Sequence, residues 1–392
     1  MSEVVNIPQL RFPEFNGGWK ESRIGKIYKD LRTGSTPSRA VKSYFKGDNP
    51  WITSGELKYN RISTTFEQIS DEAIKDTNLV LYQPGTLFIA ITGLEAPGTR
   101  GKCAINAVPS TTNQSCLAFR KVDSVDTIYM FYWYLKYGKP LYFKYAQGTK
   151  QQSFNNKIVE KFQIFLPNKP EQQKIAAFLS AVDNKIEQLS KKQELLSEYK
   201  KGVMQQIFSQ AIRFKADDGC DFPDWEEKKL GDILDYEQPT NYIVDSTEYD
   251  NSFDMPVLTA GKSFVLGYTN ETHKVFENIP VIIFDDFTTA NKYVDFPFKV
   301  KSSAMKILKP KDSFVNIRLI FEFIQMLNFP IGEHKRYWIS EYQDLKIPFP
   351  SFEEQTKIAS FLSSIDNKIE QVGKQLDESK QFKKALLQQM FV

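Results

Sequence analysis

The chain has 392 residues, a formal net charge of +3, 41% hydrophobic residues and 25% charged residues, an ordinary globular composition with length for two or three domains. Near-neutral charge confines any basic face to local clusters, and three scattered Cys exclude a disulfide framework. No apolar run reaches the roughly 18 residues of a membrane span, and the opening MSEVVNIPQLRFPEF lacks a signal-peptide pattern, so a cytoplasmic chain with no membrane partner is expected.

In chain order, the first region opens on RFPEFNGGWKESRIGKI (Arg11–Ile27). Short β-type runs follow, PWITSGEL, GTLFIAITG and KCAINAV, and then one helix-like aromatic stretch, VDTIYMFYWYLKYG. Its Trp133, Tyr134 and Tyr137 read as core. The segment from Tyr132 to Lys157 carries Lys136, Lys139, Lys144, Lys150 and Lys157 and no acidic residue. Lysines neutralise phosphates, and Gln or Asn side chains read base edges. Polar turns with this chemistry supply the candidates Thr36, Ser38, Arg39 and Lys42, Arg100 and Lys102, Asn113 and Gln114, and Lys150, Gln151 and Gln152.

A helix is expected next. Ile175, Val182, Leu189, Leu196 and Val203 recur every seven residues, with prolines at 167 and 170 marking the entrance. About 38 residues at about 1.5 Å each make a strut of about 57 Å, longer than one core needs. A second region then restarts at DFPDWEEKKLGDI (Asp221–Ile233), with Trp225 and Gly231 matching Trp19 and Gly25. Its β-type runs are MPVLTAGKSFVLGY, PVIIFDDF and MKILKP, followed by the helix-like NIRLIFEFIQML. Its polar turns offer Lys262, Tyr268, Asn270, His273, Lys292, Lys335 and Arg336 as further candidates.

The last segment repeats the strut. Glu171–Ser209 aligns with Glu354–Val392 without a gap, and 20 of the 39 positions are identical, far beyond coincidence. The second heptad stripe runs through Ile358, Ile365, Val372 and Leu386, interrupted at Ser379, as Gln193 interrupts the first. Two matched apolar stripes are expected to pair with each other as an antiparallel coiled coil. The fold class is therefore α+β. Two mixed α/β domains, 1–167 and 213–350, are joined by long helices, 168–212 and 351–392, in a pseudo-two-fold repeat. Between their shared ends the two domains do not align.

Catalytic chemistry is not apparent. Two His and dispersed Cys make no zinc set, and neither a phosphate-binding GxxxxGK[ST] nor a GxGxxG loop occurs. Asp285-Asp286 reads as a strand-end turn, and PDWEEK as a chance likeness to a nuclease motif.

The duplicated EQ-KIA-FLS--DNKIEQ helices, the RFPEF…W…IG-I opening and its restart at DFPDW…LGDI resemble the specificity subunits of type I restriction–modification systems. GSTPSR, PWITSGEL, TNQS, PVLTAGK and PVIIFDDF resemble their target-recognition domains. The resemblance implies a non-catalytic subunit whose two domains bind the halves of a split, asymmetric site in double-stranded DNA. It implies helices that act as a ruler and dock two methyltransferase subunits, with two restriction subunits as further partners. S-adenosylmethionine, ATP and Mg2+ would serve those partners' adenine methylation and DNA cleavage, with no cofactor on this chain. The competing reading from the helices alone is a coiled-coil scaffold presenting two protein-binding domains.

Overall fold

The computed structural model describes residues 6–94, 99, 101–146, 151–260, 263–330 and 336–392. The chain divides into two units, Met1–Ser190 with Lys374–Val392, and Lys191–Gly373. Each unit therefore holds one globular region, one end of the first long helix and the opposite end of the second.

In the first unit the central sheet has strands β1 (Arg32–Thr33), β2 (Arg61–Ile62), β3 (Leu87–Ala90), β4 (Cys103–Asn106) and β5 (Cys116–Phe119). Their order is β1-β5-β3-β4-β2, antiparallel except for β2 beside β4. The inner strands β3, β4 and β5 are buried on both faces because alternate side chains enter different cores. Leu87 and Ile89 join the helix-packed cluster, whereas Phe88 and Ala90 join a smaller one with Ile52, Leu57 and Ile62. Helix α1 (Thr127–Tyr145) covers the first face, capped by Asp126, whose carboxylate accepts the amides of Ile128 and Tyr129. Trp133 and Tyr134 are buried, as the sequence implies, and Tyr137 is half-buried against the same core.

The second unit repeats this plan with β6 (Leu234–Glu237), β7 (Val281–Asp285), β8 (Asn291–Val294) and β9 (Met305–Pro310), in the order β6-β9-β7-β8. A second helix follows, Ile317–Met326, capped by Asn316. The shared strand order is a kinship that the sequences, which do not align here, conceal. Each unit also has a three-stranded sheet of one design. Asn49–Ile52 lies antiparallel to Gln68–Ile69 and parallel to Thr111–Thr112. Met255–Leu258 lies antiparallel to Val265–Thr269 and parallel to Lys299–Val300.

The long helices span Lys169–Phe208 and Phe352–Gln389. At each entrance the repeated Glu-Gln locks the helix to its globular region. Glu171 accepts from Arg11 at 2.8 Å and from Trp19 Nε1 at 3.2 Å; Glu354 accepts from Arg213 and Trp225 Nε1, both at 2.8 Å. Gln172 accepts the Asp126 amide and donates to the Pro167 carbonyl, and Gln355 does the same with Asn316 and Pro350. All four Glu and Gln side chains are buried, so the partners that satisfy them fix the helix entrance.

The helices pair antiparallel within each unit. In the second unit, Lys200 meets Asp366 and Gln193 lies against Gly373, so the contact moves forward on one helix as it moves back on the other. In the first unit the corresponding pair is Asp183 with Lys383, at 2.5 Å. Ile175, Leu189, Ile358, Ile365, Val372 and Leu386 of the predicted stripes are buried, while Val182, Leu196 and Val203 are half-buried. The interruption at Gln193 is accommodated by Gly373 opposite, and Ser379 turns its hydroxyl onto the Gln375 carbonyl.

Candidate nucleic-acid interface

In the first unit, two polar segments far apart in sequence converge at one edge of the three-stranded sheet. The Gly34 amide donates to the Asn113 carbonyl, and the Thr36 hydroxyl donates to the Gln114 side-chain oxygen at 2.7 Å. A Cβ at Gly34 would stand 1.6 Å from the Thr112 carbonyl oxygen, so glycine alone permits the approach. Asn113 in turn donates its amide to Ile52 O, and its side chain accepts from Ser115 N. Thr36, Ser38, Arg39, Lys42 and Gln114 are all exposed.

Arg39 is engaged within the protein. Its guanidinium grips both oxygens of Glu67 and lies 4.2 Å from the Phe45 ring centroid, with the Trp51 ring beyond. The same pairing holds the Glu67 carboxyl below its usual range. Arg39 thus orders this face as much as it charges it. Lys102 stands elsewhere, 5.9 Å from the ring centroid of Tyr59. The backbone of Gln151–Ser153 pairs with Thr92–Leu94. Arg100 and Lys150 lie outside the described residues, as do Lys262 and Lys335 of the second unit.

Not every lysine of the basic aromatic segment is a phosphate ligand in waiting. Lys136 donates to the carbonyls of Gln388 and Phe391, where it caps the end of the second long helix. Partial burial there pulls its pKa down.

The second unit's candidates are more dispersed. Asn270 and Lys292 are exposed, Tyr268 is half-buried in its strand opposite Pro256, and Arg336 is exposed ahead of the turn Tyr337–Ser340. His273 Nε2 and Lys274 Nζ both bond Asp245, at 2.8 and 2.9 Å. The bond to His273, then that to Lys274, holds the Asp245 carboxyl down at about 2. Asp245, Glu271 and His273 bring ligand-type atoms within 4.8 Å of one another, a set the sequence reading did not find. Lys274 and Lys299 already balance its two carboxylates, Lys299 meeting Glu271 at 2.8 Å. Asp285 does form a strand-end turn, accepting from the amides of Phe287 and Thr288.

The matching sheets disclose residues that sequence reasoning missed. Asn113 N bonds Ile52 O in the first unit as Lys301 N bonds Leu258 O in the second, so Lys301 is the counterpart of Asn113. Phe66, which precedes Glu67, and Lys58, whose Nζ lies 5.8 Å from its ring centroid, are further candidates that lack the polar-turn signature of the others.

The profile of a family described as the type I restriction modification DNA specificity domain matches residues 16–197 and 223–379. The chain belongs to that family. The chain is 49% identical over 141 residues to the EcoR124I/EcoR124II specificity subunit of Escherichia coli, a match covering 35% of each chain. The chain thus spans about a third of the length of that relative in the matched region. It is 25% identical over 410 residues to the MjaVIII specificity subunit of Methanocaldococcus jannaschii, covering 96% of this chain and 92% of that one. Among solved structures, the S subunit of a type I system from M. genitalium superposes with a TM-score of 0.68 at 18% identity, over 98% of this chain and 99% of the other. That likeness supports the two-region repeat fold. No helix among the described residues is long and apolar enough to cross a membrane.

Proposed function

We propose that this chain is the DNA sequence-recognition subunit of a type I restriction–modification complex and carries no catalytic step itself. The observation that carries this reading is one frame, repeated residue by residue, bearing two different polar faces. Glu171 and Glu354, Gln172 and Gln355, and Asp183 and Asp366 keep their partners, whereas the residue at the position of Asn113 is Lys301 and the sequence Gly34–Lys42 is not repeated among the described residues of the second unit. Two unlike faces cannot read a palindrome. Each reads one half of a bipartite, asymmetric site in double-stranded DNA, with an unread spacer set by the helices; successive major-groove faces lie about 34 Å apart.

Short side chains such as Thr36, Asn113 and Gln114 supply the paired donors and acceptors that discriminate base edges, and exposed lysines such as Lys42 neutralise phosphates. Equivalent helix surfaces favour two copies of one partner. Asn184 and Asn367, and Lys185 and Lys368, are identical and exposed in both copies. Tyr199 and Phe382 occupy equivalent positions and are 53% and 52% exposed, aromatic anchors of the kind that interfaces use. The partners proposed are two methyltransferase subunits using S-adenosylmethionine, joined by restriction subunits that use ATP and Mg2+, in the cytoplasm.

The test is adenine-methylation mapping in cells with the methyltransferase partner, with and without this chain. A split, asymmetric motif lost on deletion supports the reading, and unchanged methylation refutes it. An insertion of one helical turn in each long helix is expected to change the spacer between the half-sites and leave both half-sites the same.

A further inference from the structure

Phe66 is 84% exposed, more than any other large hydrophobic side chain among the described residues. An aromatic ring in water ordinarily sits on a loop free to turn it inward, but this loop is fixed from beneath. The Phe66 amide donates to Glu56 Oε1 at 2.7 Å, and Glu56 is buried. The other oxygen of the same carboxylate accepts from Thr53 N and Thr53 Oγ1. On either side of Phe66, the Thr65 hydroxyl donates to Glu67 O at 2.6 Å, and Trp51 N reaches both Thr65 Oγ1 and Glu67 O. The buried Glu56 carboxylate, which also closes the Ser54–Glu56 turn through Thr53, thus fixes the backbone beneath a ring that itself stays exposed.

The surroundings identify the occupant. Lys58 Nζ lies 5.8 Å from the Phe66 ring centroid, and the next residue, Glu67, grips Arg39 on the face that includes Thr36 and Gln114. Lys58 is exposed, Glu56 is buried, and the Glu67 carboxylate is paired with Arg39. An exposed apolar ring on a fixed backbone, with Lys58 beside it and the Arg39 face adjoining, is the equipment of a wedge that enters a base step while its neighbours hold the phosphates.

We infer that Phe66 of the first unit inserts against a base step of double-stranded DNA, as a contact that helps fix where the first half-site is read. The inference rests on the DNA-recognition reading above.

The experiment uses the complex of the full chain with its methyltransferase subunits. The probe is a duplex bearing the motif found by methylation mapping, with 2-aminopurine placed in turn at each position of the half-site assigned to the first unit. The wild-type complex should raise the fluorescence at one step, reporting unstacking. Phe66→Ala should assemble normally, lose that signal and bind about tenfold more weakly, with the salt dependence unchanged because no charge is removed. Phe66→Leu should restore part of both. Wild-type affinity and signal in Phe66→Ala would overturn the inference and leave the recognition reading standing. Failed assembly of Phe66→Ala with its partners would place the ring at a protein interface and also overturn it. Absence of DNA binding by the wild-type complex would remove both readings.

Discussion

Lys200 meets Asp366 at 2.8 Å, and each is the repeat counterpart of a member of the Asp183–Lys383 pair. The two ion pairs are therefore the same contact made twice, with donor and acceptor exchanged between the helices. Their surroundings differ. Asp183 also accepts from the Tyr132 hydroxyl at 2.7 Å, whereas Lys200 also meets Glu322 and Asp366 also meets Arg318. One unit supports its pair with a neutral phenol and the other with a second ion pair.

That difference predicts a pH dependence confined to the second unit. Burial raises the Glu322 pKa, and Lys200 opposes the rise. A carboxyl that holds its proton more readily folded than unfolded costs stability when charged, above the ordinary carboxylate range, and not below it. Lys200→Met removes the opposing cation, leaving Arg318 at 3.2 Å. It should destabilise the protein by about 2 kcal/mol near neutral pH. The deficit should shrink as pH falls and Glu322 takes up its proton, which it does above the ordinary carboxylate range because burial raises its pKa. Thermal unfolding of Lys200→Met against wild type from neutral pH down to that range is the measurement; an equal deficit at both ends would refute the prediction.

The Glu-Gln locks are expected to be sensitive to truncation. Glu354→Ala leaves Arg213 and Trp225 Nε1 without their acceptor beside a fully buried site. A loss of about 3 kcal/mol is expected, with Glu354→Gln recovering part of it through the Trp225 bond. Glu171→Ala should behave alike through Arg11 and Trp19. Chemical denaturation of the two variants, followed by tryptophan fluorescence, would compare them directly.

Two glycines should respond in opposite directions to alanine. At Gly34 the new Cβ meets backbone at 1.6 Å, so the polar edge must come apart. Methylation mapping should then show one half-site relaxed and the other intact. At Gly373 the Cβ meets only the movable amide of Gln193, at 2.8 Å. Removing a helix-interior glycine there should stabilise by about 0.5 to 1 kcal/mol in thermal unfolding.

Base reading by the converged edge predicts a local change of specificity. Gln114→Ala, which also frees the Thr36 hydroxyl, should relax discrimination at one or two base pairs by about 1 to 3 kcal/mol. Competition binding with single-substitution duplexes would locate them. Uniform weakening over all duplexes would instead assign Gln114 to the phosphates.

The helices were legible in the sequence because an apolar stripe of fixed period survives translation into structure: Ile175, Leu189, Ile358, Ile365 and Val372 are buried as the stripe requires. The Glu-Gln pair was visible only as repeated letters, since Arg11 and Arg213 lie far from Glu171 and Glu354 along the chain. The common strand order was hidden for another reason. Strands such as Leu87–Ala90 and Val281–Asp285 are buried on both faces, so they lack the alternation that marks a strand and permits alignment. At the candidate interface, loop composition found Thr36 and Gln114 but not their pairing, and a search for polar turns passed over Phe66.

The lock at the helix entrance asks little of the region it holds. Glu171 and Gln172 engage an arginine, an indole and backbone groups around Asp126 and Pro167, and none of these partners belongs to the edge formed by Gly34 and Asn113. The fitting is standard, and the tool mounted in it is not. On the proposed recognition reading, exchanging one tool for another through the repeated helix sequence would change one half-site while every joint remains as it was.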